Sequence, residues 1–564
     1  MSVAAAADLP RTRAAAAERG ARLPLLVLAL VAAVYLPSLG GDWVWDDVYQ
    51  LRDNPAITQP WVLLTHDVWG PTGFADARNT PVYRPLAMAS HSLGQMLWRG
   101  PLVERLASLA LHLGIVVLIA ALAMTLGADR TAAWFGAACF GLHPASTEAV
   151  AWISARADLL GVACVAAGAL ALARGRDVLA GVLVGMAPFC KEAFLLAPLS
   201  LAVWMLALRR PAPRALIAAV LGALGYLVVR HLLEIPLPAG SPIGGPADAL
   251  GAVGAVGVRG ATLLLDPSAP DALPGYAGNA ATGFALVALV LVALPFLPGR
   301  PALAALLAPL PLLAPTAPAA LANGLVADRY VYAALAGVGL AAAFGYAALQ
   351  YRWRYAPVLF VLPLVWTPFT ALRAGDWTGN QPLFRATLEK APDHPEALFH
   401  LAYDLHNAQG NCEAALPLYA KAMPHSRRAA NNLQACLFEL QRWEEAAQLG
   451  PALAARDPDN PNPALNTARA LSQLGDQQAA EQWARTGIER RPARTSGHVL
   501  LGNVLGLQHR YEEALRSFER ALEIDPGLES ARRGRGLALE RLAEAHTASA
   551  LRPGRSPRPA GESP

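Results

Sequence analysis

The chain has 564 residues, 54% of them hydrophobic and 16% charged, with a mean hydropathy of +0.33. That balance excludes an ordinary soluble enzyme and matches an integral membrane protein. A net charge of +4 over this length makes no electrostatic case for nucleic acid, and neither helix-turn-helix nor zinc-finger spacing occurs.

Residues 1–22 are rich in Ala and Arg and are expected to be cytoplasmic. The apolar run 23–39 follows, and no small-x-small cleavage site precedes the loop after it, so it reads as an uncleaved first span. Gly41–Pro55 (GDWVWDDVYQLRDNP) comes next, just beyond the span end. It carries adjacent carboxylates, Asp46 and Asp47, among Trp43, Trp45 and Tyr49. Interfacial aromatics are common at this depth, and a solvated acidic loop is the bland reading. A carboxylate pair at the headgroup level instead suggests chemistry on something carried by the lipid. The loop continues to residue 103 and is long enough for one or two helices on the membrane surface. It contains His66-Asp67 and then Tyr83-Arg84-Pro85-Leu86, where Arg84 suits either a phosphate or a loop salt bridge.

Further spans are predicted at 104–126, 132–150, 159–173, 178–190, 193–208, 215–232, 281–298, 302–320, 331–349 and 356–372. The Gly-rich stretch 247–265 reads as a further span or a re-entrant helix. With the amino terminus inside, the short basic connections (Asp129-Arg130, Arg174–Asp177, Arg209–Arg214, Gly299-Arg300 and Tyr351–Tyr355) fall in the cytoplasm, as the positive-inside rule requires. The remaining polar motifs then share the opposite face. His143 and Glu148 lie at the end of the third span, and Arg156 and Asp158 lie beyond it. Arg156 and Asp158 would pair with each other in the structural reading. Ionisable groups bordering apolar runs are costly in lipid and commonly line a cavity. Lys191-Glu192 interrupts two apolar segments in a chain whose lysines are Lys191, Lys390 and Lys421 alone. A compact ammonium suits a phosphate, and a Lys–Glu pair is the structural alternative. Asp328-Arg329-Tyr330 opens the tenth span, with Arg329 another phosphate candidate.

From residue 385 the sequence turns charged, amphipathic and helical. Pro392, Pro424, Pro458, Pro492 and Pro526 mark a period of about 34 residues. The last full unit carries Leu501, Gly502, Leu505, Tyr511, Ala514, Phe518, Ala521 and Pro526, which is the tetratricopeptide pattern. Four repeats and a partial fifth at 527–547 are expected, forming a solenoid with a concave groove for polypeptides. Of the five cysteines, Cys139, Cys164 and Cys190 lie in apolar runs, where cysteine behaves as a small hydrophobe. Cys412 and Cys436 fall near one end of adjacent repeat helices and could bridge if the solenoid lies outside the cytoplasm. The tail 548–564 has a disordered composition.

The two halves together resemble the transmembrane-and-tetratricopeptide-repeat O-mannosyltransferases. The strings that carry this are VWDD at 44–47, YRPL at 83–86, HPASTEAVAWISARADLL at 143–160, KE at 191–192 and ADRYVY at 327–332. The 143–160 string is the most specific. The composition is that of a bacterial member. The resemblance implies an all-α protein: a polytopic bundle of the GT-C glycosyltransferase type at 23–372, then a repeat domain at 385–547. It implies a polyprenyl-phosphate sugar as donor, a protein hydroxyl as acceptor, and reaction on the non-cytoplasmic face of the inner membrane, with the repeats on that side holding the acceptor or a partner. Asp46 or Asp47 would orient and deprotonate the acceptor, and Asp47→Asn is expected to abolish transfer. Lys191, Arg329, Arg84 and Arg156 would clamp the leaving phosphate. His143, Glu148, Asp158, Glu192, Asp328 and Tyr330 would complete the site. Some enzymes of this class use a divalent metal and others none, and the resemblance leaves that open. The rival readings are a non-catalytic scaffold assembled through the repeats and a transporter for a lipid-linked sugar; the transporter would be expected to carry its charges at mid-bilayer on broken helices.

Overall fold

A computed structural model describes residues 22–69, 82–236, 299–316 and 327–550, with scattered positions between 251 and 268. The expected span at 281–298, the end of that at 302–320, much of 247–265, residues 1–21 and the tail from 551 lie outside the described residues. Within them the regular structure is entirely helical. The chain divides into two compact units, Met1–Thr387 and Leu388–Pro564.

In the first unit, α1 (Arg22–Val34) precedes the acidic loop, which carries the short helices α2 (Pro60–Thr65) and α3 (Pro85–Leu97). The apolar series follows: α4 (Pro101–Thr125), α5 (Arg130–Gly141), α6 (Arg156–Ala173), α7 (Asp177–Cys190), α8 (Ala197–Ala207), α9 (Pro213–Leu232), α10 (Arg300–Leu307), α11 (Tyr332–Gln350) and α12 (Val361–Asp376). Among the described residues, five helical stretches are long and apolar enough to cross a membrane: Pro101–Thr125, Ile153–Ala173, Pro213–Leu232, Asp328–Gln350 and Ala356–Asp376. Their outer faces are apolar rather than charged. Ile217, Leu221, Leu224, Val228 and Leu232 on α9 and Val361, Leu364, Val365 and Leu372 on α12 are all exposed, a surface suited to lipid.

Apolar burial cannot hold such helices together inside a bilayer, so close packing through small residues must. α5 meets α11 this way: a Cβ on Gly136 would lie 2.2 Å from the Gly339 carbonyl oxygen. α7 meets α9 through Gly185 and Gly222, whose Cβ positions are equally occupied by the facing backbone.

One expected span is corrected. Residues 132–150 do not form one helix: α5 stops at Gly141, a single 3-10 turn follows at Pro144–Ser146, and a five-residue helix runs Thr147–Ala151. Pro144 lacks an N–H and pushes His143 to an extended conformation (φ −73°, ψ 129°). The break keeps Glu148 and the Trp152–Ser154 segment out of a continuous helix.

The second unit is a run of antiparallel helix pairs. They are α13 (Pro395–Asn407) with α14 (Cys412–Ala422), α15 (Arg427–Glu439) with α16 (Trp443–Arg456), α17 (Asn462–Gln473) with α18 (Gln477–Arg490), and α19 (Thr495–Leu507) with α20 (Tyr511–Ile524). A long closing helix, α21 (Glu529–Ala550), packs on the last pair. The helices approach through buried Ala402, Ala415, Ala430, Ala446, Ala468, Ala484 and Ala514. Gly502 leaves space that Phe518 fills, 2.7 Å from where a Cβ would stand. Ser426 and Asp476 cap α15 and α18 by accepting from backbone N–H groups, which satisfies orphan donors at the helix starts.

Candidate functional site

The acidic loop is held from three sides. Arg105, buried in α4, donates to the carbonyls of Asp42 (2.6 Å), Ala151 (2.8 Å) and Trp377 (2.9 Å). Asp42 N–H donates to the Thr378 carbonyl (2.9 Å), and Gly41 has no room for a Cβ, which would meet Thr378 Cα at 2.6 Å. Trp45 adopts a left-handed backbone (φ 56°), a conformation costly for a bulky residue. It is fixed by its N–H donating to Asn380 Oδ1 (2.8 Å) and by its ring stacking on Trp152 (centroids 5.4 Å, interplanar angle 18°).

The two aspartates have different surroundings. Asp47 is fully buried. Its Oδ1 accepts from the backbone N–H (2.9 Å) and hydroxyl (2.5 Å) of Ser154, and its Oδ2 accepts from Val44 N–H (3.1 Å). Burial pushes its carboxyl up to about 6, against the pull of the Ser154 and Val44 hydrogen bonds and the Arg105 charge. Asp46 is half-buried. Adjacent carboxylates thus take up separate positions: one anchors the loop to the residues ahead of α6, and the other keeps partial access.

Three cations gather behind the loop, each with a carboxylate partner. Lys191 Nζ, buried just past the end of α7, donates to both Asp158 oxygens (2.7 and 2.8 Å). Arg84 donates to Glu192 through Nε (3.0 Å) and a terminal nitrogen (2.5 Å). Arg329 pairs with Glu148 through its side chain and through its backbone N–H (3.0 Å). Lys191 feels the charges of both Arg84 and Arg329, and it lies 5.7 Å from the Tyr330 ring centroid. Two structural pairings weighed on the sequence are corrected here. Lys191 pairs with Asp158 rather than Glu192, and Asp158 therefore does not pair with Arg156. The broken backbone at Lys191, extended at φ −159°, ψ 136°, separates Lys191 and Glu192 onto different partners.

Trp152 joins the two groups. One face lies on Trp45, next to Asp46, and the Arg329 guanidinium sits 4.7 Å from its ring centroid. This is a cation–π geometry. Trp152 lies inside the 143–160 string but was not among the expected site residues. Its apolar character gave no sign of the role, which depends on chain segments far away in sequence.

The remaining expected residues have other partners. Arg156 pairs with Glu104 (2.6 Å), whose oxygens also meet His91 Nδ1 (2.7 Å) and Gln95 Nε2 (2.7 Å) in a fully buried network. His143 is buried, accepts from Ala145 N–H (3.2 Å) and packs on Trp366, a local cap for the turn. Asp328 pairs with Arg259 (2.8 Å). Glu104, His91 and Arg259 were not among the expected site residues.

A half-buried carboxylate, an aromatic stack and three clustered cations are suited to activating a hydroxyl beside a departing anion. The architecture is that of a helical membrane protein joined to tetratricopeptide helices. The tetratricopeptide repeat family matches residues 496–528. Mouse (Mus musculus) protein O-mannosyl-transferase TMTC1 is 36% identical over 132 residues, which is 22% of this chain and 14% of that protein. Mouse TMTC3 is 30% identical over 181 residues, 30% of this chain and 20% of its own length. Drosophila melanogaster Tmtc1 is 33% identical over 175 residues, 29% and 20% of the two chains. The chain thus matches a fifth or less of the length of these relatives, and they support the family resemblance carried by the motifs. The NMR structure of the first tetratricopeptide domain of human RPAP3 covers 22% of this chain at 22% identity with a TM-score of 0.22, too slight a likeness to carry an argument.

Proposed function

We propose that the chain is an integral membrane glycosyltransferase of the GT-C type. It moves a sugar, mannose by analogy with the relatives' names, from a polyprenyl phosphate to a protein hydroxyl on the non-cytoplasmic face of the inner membrane. The observation that carries this is the Trp45–Trp152–Arg329 stack, which couples the acidic loop to the cation cluster. Asp46 takes the acceptor proton as the acceptor oxygen attacks the anomeric carbon. The bond from that carbon to the phosphate oxygen breaks, and the lipid phosphate leaves with the electron pair. Negative charge grows on the phosphate as it departs, and Arg84, Lys191 and Arg329 are the groups to meet it. Their carboxylate partners Glu192, Asp158 and Glu148 balance them before the donor arrives. Asp47 positions the loop. Residues 388–550 bind the polypeptide acceptor or a partner protein, the common use of such repeats.

The test is sugar transfer from a polyprenyl-phosphate donor in proteoliposomes. Asp46→Asn should lower turnover by about 10²–10⁴, the usual contribution of a general base, and Arg329→Ala by about 10²–10³. Full activity in both Asp46→Asn and Asp47→Asn removes the proposed site. Tolerance of every charge in the cluster favours the non-catalytic scaffold.

A further inference from the structure

The repeat unit contains a feature the transfer reaction does not use. Cys412 opens α14 and Cys436 lies in the last turns of α15; both are buried, and their Cα atoms are 5.3 Å apart. This separation lies within the range a disulfide requires. The sulfurs share their pocket with His406, at the end of α13, and Glu439, at the end of α15. His406 Nε2 is 3.2 Å from both Glu439 oxygens, and Cys412 Sγ is 3.3 Å from one of them. Three helices from the first two repeats therefore converge on one point.

We infer that the working protein carries a Cys412–Cys436 disulfide that locks the first repeat to the second and forms only outside the reducing cytoplasm. Two chemistries compete for such a cluster. His406, Cys412 and Cys436 are close enough together to hold a metal ion. A metal needs thiolates, however, and the Glu439 carboxylate beside Cys412 opposes a thiolate there. Bridging needs only the sulfur separation that the helix geometry already supplies. The bridge forms by thiol–disulfide exchange with an oxidised dithiol carrier. One cysteine thiolate attacks the carrier disulfide and gives a mixed disulfide. The second cysteine then displaces the carrier, which leaves with the two electrons and two protons of the original thiols. Disulfides persist in oxidising compartments and are rare in the cytosol, so the bridge also fixes the side of the membrane on which the repeats function.

Full-length protein in native membranes is dissolved in denaturant with excess N-ethylmaleimide, then reduced and treated with a maleimide-polyethylene glycol that adds mass at each newly freed thiol. Wild type should gain two more additions than either Cys412→Ser or Cys436→Ser, because each variant leaves its remaining thiol free to be capped first. Equal numbers of additions in wild type and both variants mean free thiols in the cell and overturn the inference. One equivalent of zinc on the purified protein, lost in both His406→Ala and Cys412→Ser, overturns it in favour of a metal site. The assay counts thiols and not transferred sugar, so its failure leaves the transferase reading standing.

Discussion

Asp47 shows how a single buried charge becomes a measurable property. Its folded carboxyl titrates near 6 because burial raises it, against an ordinary value of 3.8. A carboxyl raised on folding favours the protonated folded state. Its stabilising contribution is present below about pH 4 and is lost as pH rises through about 6, the reverse of a salt-bridged aspartate. The full range is about 3 kcal/mol, and the part gained between pH 7 and pH 5 is about 1 kcal/mol. Asp47→Asn cannot titrate. The stability of wild type relative to that variant should therefore rise by about 1 kcal/mol when thermal unfolding in detergent is followed at pH 5 instead of pH 7. A difference independent of pH would mean that the Asp47 carboxyl does not titrate in this range. The loss of Asp46, half-buried one residue earlier, should appear in turnover.

At the scale of elements, the apolar helices of the first unit are fastened by charges of two kinds. Arg156 and Glu104 tie α6 to α4 beneath the surface with His91 and Gln95 of α3, and every member is buried. Arg84 and Glu192 tie the start of α3 to the turn before α8 and keep partial exposure. Removing one partner of a buried pair leaves an uncompensated charge, a cost of about 3–5 kcal/mol. Arg156→Ala should therefore reduce the amount of folded protein while leaving the activity per folded molecule near wild type. Arg84→Ala should insert and fold normally while turnover falls. If Arg156→Ala folds well but is inactive, Arg156 belongs with the phosphate cations. These pairings also mark where the sequence stopped being readable. The apolar spans could be read from run lengths, and the repeats from a local period ending in proline. The partners could not, because Arg84–Glu192, Lys191–Asp158 and Arg329–Glu148 are separated by 108, 33 and 181 residues. No periodicity encodes such distances, so the structural alternative to a phosphate role fell on the nearest opposite charge, Glu192 for Lys191 and Asp158 for Arg156, whereas Lys191 pairs with Asp158 and Arg156 with Glu104. The break at Pro144 was missed for a related reason: a proline within an apolar run reads equally well as a tolerated kink and as the end of a helix.

At the scale of the whole molecule, the division at residue 387 separates two kinds of physics. The first unit exposes apolar faces and buries ion pairs such as Arg156–Glu104 and Lys191–Asp158. The second carries most of its ion pairs, such as Arg442–Glu445 and Arg520–Glu523, on exposed faces where each contributes little to stability. A water-facing repeat unit that supplies none of the proposed reacting groups is expected to govern the choice of acceptor rather than the bond-making step. Ending the chain after Lys390 tests this directly. The shortened protein should still insert and still release lipid phosphate slowly by transferring sugar to water, since Asp46 and the three cations all lie in the first unit. Transfer to the polypeptide acceptor should fall far more than this hydrolysis. The two rates are read in one assay, as released lipid phosphate and as sugar bound to protein. An equal fall in both would mean that the repeats hold the first unit together, and preserved transfer to protein would mean that the acceptor is chosen by the membrane unit itself.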